Sequence, residues 1–250
     1  MRKVVLIGGS GTIGTILQRG LKQEFDVYSL DVNVDENSEN SKETDAKNFT
    51  ELINNIPNGT DVLINLLSTG NVGRLVNISE MNEMVDVYFK ASYNILKAAE
   101  ELNIPKVVFA SSNHVTDYYE SDGKSKLGRS INVNDYPYSE GLYGVLKLAV
   151  ENIGFAFSNQ YGISVINLRI GSVKLNEETE IYKNLKRNRH TWLSEVDTIT
   201  LFKEAIISDI GYGTFYGVSD NPNKPWCNDN AKEKLGFVSK MNSNDIIKNK

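Results

Sequence analysis

The chain is poor in cysteine, histidine and proline: its 250 residues include one cysteine, Cys227, with two histidines and five prolines. A lone cysteine closes no internal disulfide, and no cysteine–histidine cluster has metal-ligand spacing, so neither a disulfide framework nor a metal centre is expected. Positive charge is not in excess either. The formal net charge is −5, which disfavours a nucleic-acid partner, because neutralising phosphates takes a basic surface. No run approaches the roughly 20 apolar residues of a membrane-spanning helix. Val4–Ile7, directly after Met1-Arg2-Lys3, is too short for the apolar core of a signal peptide. These absences lead to the expectation of a soluble, cytoplasmic protein with no membrane partner. A chain of this length buries roughly 70–75% of its unfolded surface, so it needs no covalent staple.

What is present is an alternation of apolar runs and amphipathic segments. Val4–Ile7, Phe25–Asp31, Asp61–Leu67, Lys106–Ala110 and Ile163–Leu168 read as strands, several of them apolar throughout, as strands covered on both faces are. Thr12–Leu21 has apolar residues at helical spacing (Ile13, Ile16, Leu17, Leu21). Phe49–Ile56, Ser79–Leu102 and Leu142–Tyr161 read as further helices. Asn33–Lys47 is polar and loop-like, and Tyr118–Gly141 is too long and polar for an ordinary connection, hence either disordered or functional. The rhythm predicts an α/β chain: a Rossmann-type, doubly wound parallel sheet over residues 1–170, and a small lobe over 171–250 packed onto it as one globular unit.

Gly8, Gly11 and Gly14 fall between the first strand and the first helix. At that crossover glycines allow a sharp turn, a close approach of backbone to a pyrophosphate, and tight helix–strand packing, with the helix N-terminus facing the anion. Asp31 ends the second strand, where a carboxylate accepts hydrogen bonds from both ribose hydroxyls of an adenosine and repels a 2′-phosphate, so the expected cofactor is NAD rather than NADP.

A tyrosine four residues before a lysine shares its helix face. Beside a nicotinamide, the ammonium would lower the phenol below its usual value of about 10 and make it a base for a substrate hydroxyl. The pattern occurs at Tyr93/Lys97, Tyr143/Lys147 and Tyr182/Lys186. Ligands of doubly wound sheets sit at the carboxyl ends of strands. Only Tyr143, opening the helix after the strand that ends in Ser111-Ser112-Asn113-His114, begins there, so Tyr143 and Lys147 are the candidate pair.

GGSGTIG at 8–14, Asp31, the Ser111-Ser112 pair and Tyr143-x-x-x-Lys147 together resemble the extended short-chain dehydrogenase/reductases, the NAD-dependent epimerase/dehydratase family, over residues 3 to about 170. SSNH at 111–114, GLYG at 141–144, RIGS at 169–172, HTWLS at 190–194 and YGVSDNP at 216–222 resemble the NAD-dependent uronate dehydrogenases more closely. That resemblance implies oxidation of the C1 hydroxyl of a hexuronic acid, glucuronate or galacturonate, to an aldonolactone. It implies Ser112, Tyr143 and Lys147 as catalytic residues. It places NAD on Gly8, Gly11, Thr12, Ile13, Gly14, Asp31, Asp45, Leu66, Tyr143 and Lys147. The sugar acid falls to Ser112, Asn113, His114, Tyr143 and Ser172, with Arg187, from the basic run Leu185–His190, holding its carboxylate.

The sequence departs from the subfamily pattern at Leu146, Gly70, Asp117 and Cys227. Rival readings are a nucleotide-sugar epimerase or dehydratase, a dehydrogenase of a neutral or phosphorylated aldose that uses Lys186 and Arg189 beside Arg187, and an NAD-sensing module without turnover. By the same resemblance, the long helices at 79–102 and 142–161 would pair between subunits of a homo-oligomer.

Overall fold

Residues 1–34, 40–70 and 75–247 are described by a computed structural model. Strand β1 (Lys3–Ile7) is apolar on both sides because both sides are covered. Val4 and Leu6 pack into one core layer, with helix α1 (Thr12–Leu21) and helix α8 (Glu195–Ile207). Val5 and Ile7 pack into the other, with helices α2 (Phe49–Asn55), α4 (Ala91–Glu101) and α5 (Leu142–Tyr161). The sheet between them continues with β2 (Asp26–Asp31), β3 (Ser41–Glu43), β4 (Val62–Asn65), β5 (Lys106–Ser112), β8 (Ser164–Ile170) and β9 (Tyr212–Gly217). Among the described residues it is seven-stranded and parallel throughout, in the order β3-β2-β1-β4-β5-β8-β9. Strand order reverses between β1 and β4, so their connections leave in opposite directions and open a crevice at their carboxyl ends.

The alternation of strands and helices therefore matches the α/β expectation, with four differences of detail. The loop expected over 33–47 contains β3, which pairs with β2 through backbone alone, its polar residues being half or fully exposed; residues 35–39 lie outside the described residues. The single helix expected over 79–102 is α3 (Ile78–Met84) and α4 joined by a wider π-turn, Val85–Lys90. The stretch 118–141 is built rather than loose. It holds a two-stranded hairpin, β6 (Glu120–Ser121) and β7 (Lys124–Ser125), and Ile131 exchanges backbone hydrogen bonds with Pro225 and Cys227, at 2.7 and 2.8 Å. Fully buried Ile131 packs there with Tyr216, Val218 and Trp226. Finally, the chain beyond Gly171 returns to the sheet. After α6 (Glu177–Glu180) and α7 (Leu185–Thr191), α8 packs across α1 and β9 extends the sheet beside β8. The buried Asp197 carboxylate ties down the following segment, accepting from Ser219 Oγ, Ser239 Oγ and Lys240 N at 2.6–2.7 Å.

Candidate functional site

The turn after β1 shows which glycines the protein itself requires. Gly8 has φ +85°, a left-handed conformation that side chains disfavour. A Cβ on Gly14 would lie 2.1 Å from the carbonyl oxygen of Gly9, so α1 could not sit this close to the turn with alanine there. Gly11 differs: the nearest atom to a Cβ would be Gly8 O at 3.6 Å, an ordinary contact. Among the described residues only Gly8 O comes within 4 Å of a Cβ built on Gly11, which is also the N-cap of α1, and none of their side chains caps that helix. The first N–H groups of α1 thus face the crevice, as anion binding requires.

Asp31, at the end of β2, stands over the same turn. One carboxylate oxygen accepts Ser10 N–H at 2.9 Å and the other Asn33 N–H at 3.0 Å. A cleft of about 440 Å³ runs from Gly8 and Gly11 past Asp31, Asp45 and Leu66. A second, of about 760 Å³, shares Gly8, Gly11 and Leu66 and continues over Thr12, Ile13 and Gly14 to Ser112, Asn113, His114, Tyr143, Ser172 and Arg187. An acidic strand end, an uncapped helix and an open glycine therefore lie in line along two joined clefts. These residues fit an adenosine diphosphate bound in the first and a nicotinamide end reaching into the second.

The other end of the site is set by α5. Its N-cap is Gly141, and a Cβ on Gly144 would strike the carbonyl oxygen of His114 at 2.1 Å, so the helix starts flush against the end of β5. Tyr143 meets the His114 ring at 5.5 Å and the Tyr88 ring at 5.1 Å, both edge-on, and its hydroxyl hydrogen-bonds Ser112. Lys147 is buried behind Tyr143 rather than on the cleft wall; its Nζ donates to Ala110 O at 2.8 Å and lies 5.0 Å from the Tyr88 ring and 5.7 Å from that of Tyr143. The two other Tyr/Lys pairs are elsewhere. Tyr93 packs on Phe157 while Lys97 pairs with Glu100. The Tyr182 hydroxyl reaches Ile247 O and Lys186 pairs with Asp122.

Burial sets the electrostatics of this pair. Burial raises the phenol above its ordinary value, the neighbouring Tyr88 adds to this, and the Ser112 hydrogen bond opposes it only in part. The ammonium is itself penalised: burial lowers Lys147 to about 8 although Glu151 acts against the fall.

The basic run 185–190 also separates on folding. Lys186 bonds Asp122 and Arg189 bonds Asn244, so neither joins the site. Arg187 does, with Nη1 3.3 Å from Ser172 Oγ, but its other edge is taken by Glu120. Lys174 and Lys183 line the same cleft, and no spacing in the sequence singled them out. Tyr88 was missed as well. The π-turn aims it at Tyr143, and its hydroxyl accepts Thr69 N–H at 3.0 Å. Asp117, at a departure from the subfamily pattern, accepts from Glu140 N at 2.7 Å and stands 2.9 Å from His114 Nδ1, orienting that ring. Gly70 lines the cleft with φ +75°; its neighbour Asn71 lies outside the described residues.

Known proteins resemble this chain in sequence and fold. The family model for the NAD dependent epimerase/dehydratase family matches residues 4–191. An uncharacterized Bacillus subtilis protein, YtbQ, is 45% identical over 99% of this chain and 97% of its own length. An NAD-dependent glucose-6-phosphate dehydrogenase of Haloferax volcanii is 34% identical over 58% of this chain and 57% of that one. A uronate dehydrogenase of Pseudomonas putida is 25% identical over 96% of this chain and 85% of its own. The crystal structure of a glucuronic acid dehydrogenase from Chromohalobacter salexigens superposes with a TM-score of 0.81 over 99% of this chain and 88% of that one, at 24% identity, a likeness of fold. Among the described residues no helix is long and apolar enough to cross a membrane.

Proposed function

Because this chain belongs to the NAD-dependent epimerase/dehydratase family, we propose that it is a dehydrogenase that oxidises the C1 hydroxyl of a sugar, a hexuronic acid above all, to the lactone. The observation that carries the reading is the meeting of Ser112 and Tyr143, backed by buried Lys147, with Arg187 and Ser172 along one cleft that begins at the glycine turn. NAD, which the glycine turn and Asp31 would hold, would supply the hydride acceptor for C1.

The chain's own groups account for the rest. Ser112 donates to the reacting oxygen and fixes it beside the Tyr143 hydroxyl. Tyr143 takes the hydroxyl proton. A positively charged nicotinamide held in this cleft would favour the phenolate against the rise that burial imposes. Lys147, anchored on Ala110 O, supplies the charge that favours the phenolate once the site is filled. At the far end, Nη1 of Arg187 and the Ser172 hydroxyl receive the substrate carboxylate. Asn113 and His114 read ring hydroxyls, and Asp31 with the glycine turn selects NAD over NADP.

A second reading, a phosphorylated aldose, is favoured by Lys174 and Lys183 on the same wall. The test is a substrate panel of glucuronate, galacturonate, glucose and glucose 6-phosphate with NAD, followed by absorbance of the reduced nicotinamide. Turnover of the uronates that falls roughly 10²–10⁴-fold in Tyr143→Phe, with NAD affinity retained, is the expected outcome. Turnover of glucose 6-phosphate alone would replace the uronate reading with the second one.

A further inference from the structure

Arg187 does not meet the cleft as a free cation. Its Nε and Nη2 both donate to Oε2 of Glu120, at 3.0 and 2.9 Å, and the other carboxylate oxygen of Glu120 accepts Gly123 N–H at 2.5 Å. The Glu120 side chain is only 6% exposed, against 22% for Arg187, so solvent screens this pair less than a surface one. What remains for a ligand is the Nη1 corner beside Ser172 Oγ. On the same wall Lys183 is paired with Glu180 at 2.6 Å. Glu120 arrives from the β6–β7 hairpin and Arg187 from α7, 67 residues apart, so the pairing is a product of the fold and not of helix spacing.

An uncompensated guanidinium offers a carboxylate two parallel charge-assisted hydrogen bonds. Here one edge is used and the local charge is cancelled, which leaves a hydrogen-bonding corner that suits an exocyclic hydroxyl about as well as a carboxylate. We propose that Glu120 is the specificity-determining residue of the site: it attenuates the preference of Arg187 for an acidic sugar, so that a uronate and its parent aldose, with CH₂OH in place of the carboxylate, are both accepted. The proposal rests on the sugar-oxidising reading above.

Glu120→Gln tests it, because the amide oxygen keeps an acceptor for Arg187 while the negative charge is removed, at the cost of the acceptor for Gly123 N–H. Binding is measured by calorimetry on NADH-loaded protein carrying Tyr143→Phe, with glucuronate and with glucose as probes. Adding Glu120→Gln is expected to tighten glucuronate by about tenfold and to leave glucose within about twofold. In the otherwise unaltered enzyme the same change should lower KM for glucuronate, leave its kcat, and leave both constants for glucose. A purely structural role for Glu120 would instead weaken both sugars together. Glucuronate binding that is unchanged or weaker in the Glu120→Gln variant overturns the proposal alone. Binding of neither sugar by either protein overturns it together with the sugar-oxidising reading.

Discussion

Removing the Arg169 guanidinium should unbalance the floor beneath the site. Arg169 on β8 and Glu151 on α5 are 4% and 3% exposed. Nε and Nη2 of Arg169 donate to the two oxygens of Glu151 at 2.9 and 2.7 Å, and Ser111 Oγ donates to one of them at 2.5 Å. The remaining arm, Nη1, reaches the Tyr216 hydroxyl at 3.3 Å. Burial works against the charge on Arg169, but the hydrogen bonds and charge of Glu151 outweigh it and hold the guanidinium above its ordinary pKa. Arg169→Met would leave a buried carboxylate with the Ser111 hydroxyl and, one turn away on α5, the buried Lys147 amine, but without its bidentate partner. Breaking such a pair costs about 3–5 kcal/mol, which in a chain of this size lowers Tm by roughly 6–20 °C. Because protonating the stranded acid relieves the cost, the loss should shrink as pH falls. Replacing both partners, Arg169→Met with Glu151→Leu, should restore most of the stability, since an apolar pair of similar volume is often neutral or better. Urea unfolding followed by the fluorescence of buried Trp192 and Trp226 reads all three proteins. A loss under about 1 kcal/mol in the single variant, or a double variant no better than the single one, would refute the reasoning.

Three further outcomes follow from the same geometry. Burial lowers Lys147 to about 8, below its unfolded value, so the folded state sheds this proton first and stability contributed by the group rises as pH climbs from 8 towards 10.5; Lys147→Met should therefore gain most over the parent near neutral pH, by up to about 3 kcal/mol, and lose that advantage at high pH, as urea melts across the range would show. Gly14→Ala drives a methyl group into the Gly9 backbone and should weaken NAD binding at least about tenfold and cost about 1–3 kcal/mol of stability, measured by calorimetry and thermal melting. Asp31→Ala removes the carboxylate beside the turn and should lower the ratio of NAD to NADP affinity by about tenfold or more, whereas an unchanged ratio would detach cofactor choice from that residue.

Where local pattern and tertiary role agree, the sequence could be read directly. Leu142–Tyr161 is bounded by glycines at both ends, and the helix has those bounds. Val4–Ile7 is apolar at every position because two core layers claim alternate residues. Elements were missed where long-range packing overrides local pattern. Strand Tyr212–Gly217 carries glycines that make room for neighbours: a Cβ on Gly217 would lie 2.2 Å from Leu201 Cδ2. One wider turn at Val85–Lys90 leaves no trace in apolar spacing, yet it decides where Tyr88 points. At the site, Tyr143 and Lys147 were legible from their position on a helix after a strand. Glu120 was not, because what makes it matter is a guanidinium 67 residues later in the chain.

The seventh strand has a consequence for how the chain leaves the ribosome. β8 is finished at Ile170, but its outer partner β9 begins only at Tyr212. In between, a nascent chain carries an unpaired rim of backbone donors and acceptors along a ribbon whose residues Val165–Ile170 all end up buried. Such a rim invites pairing with other chains. Translation through residues 171–211 is thus the interval in which this protein is most exposed to aggregation, and a stall there should recruit chaperones more strongly than one placed after residue 217.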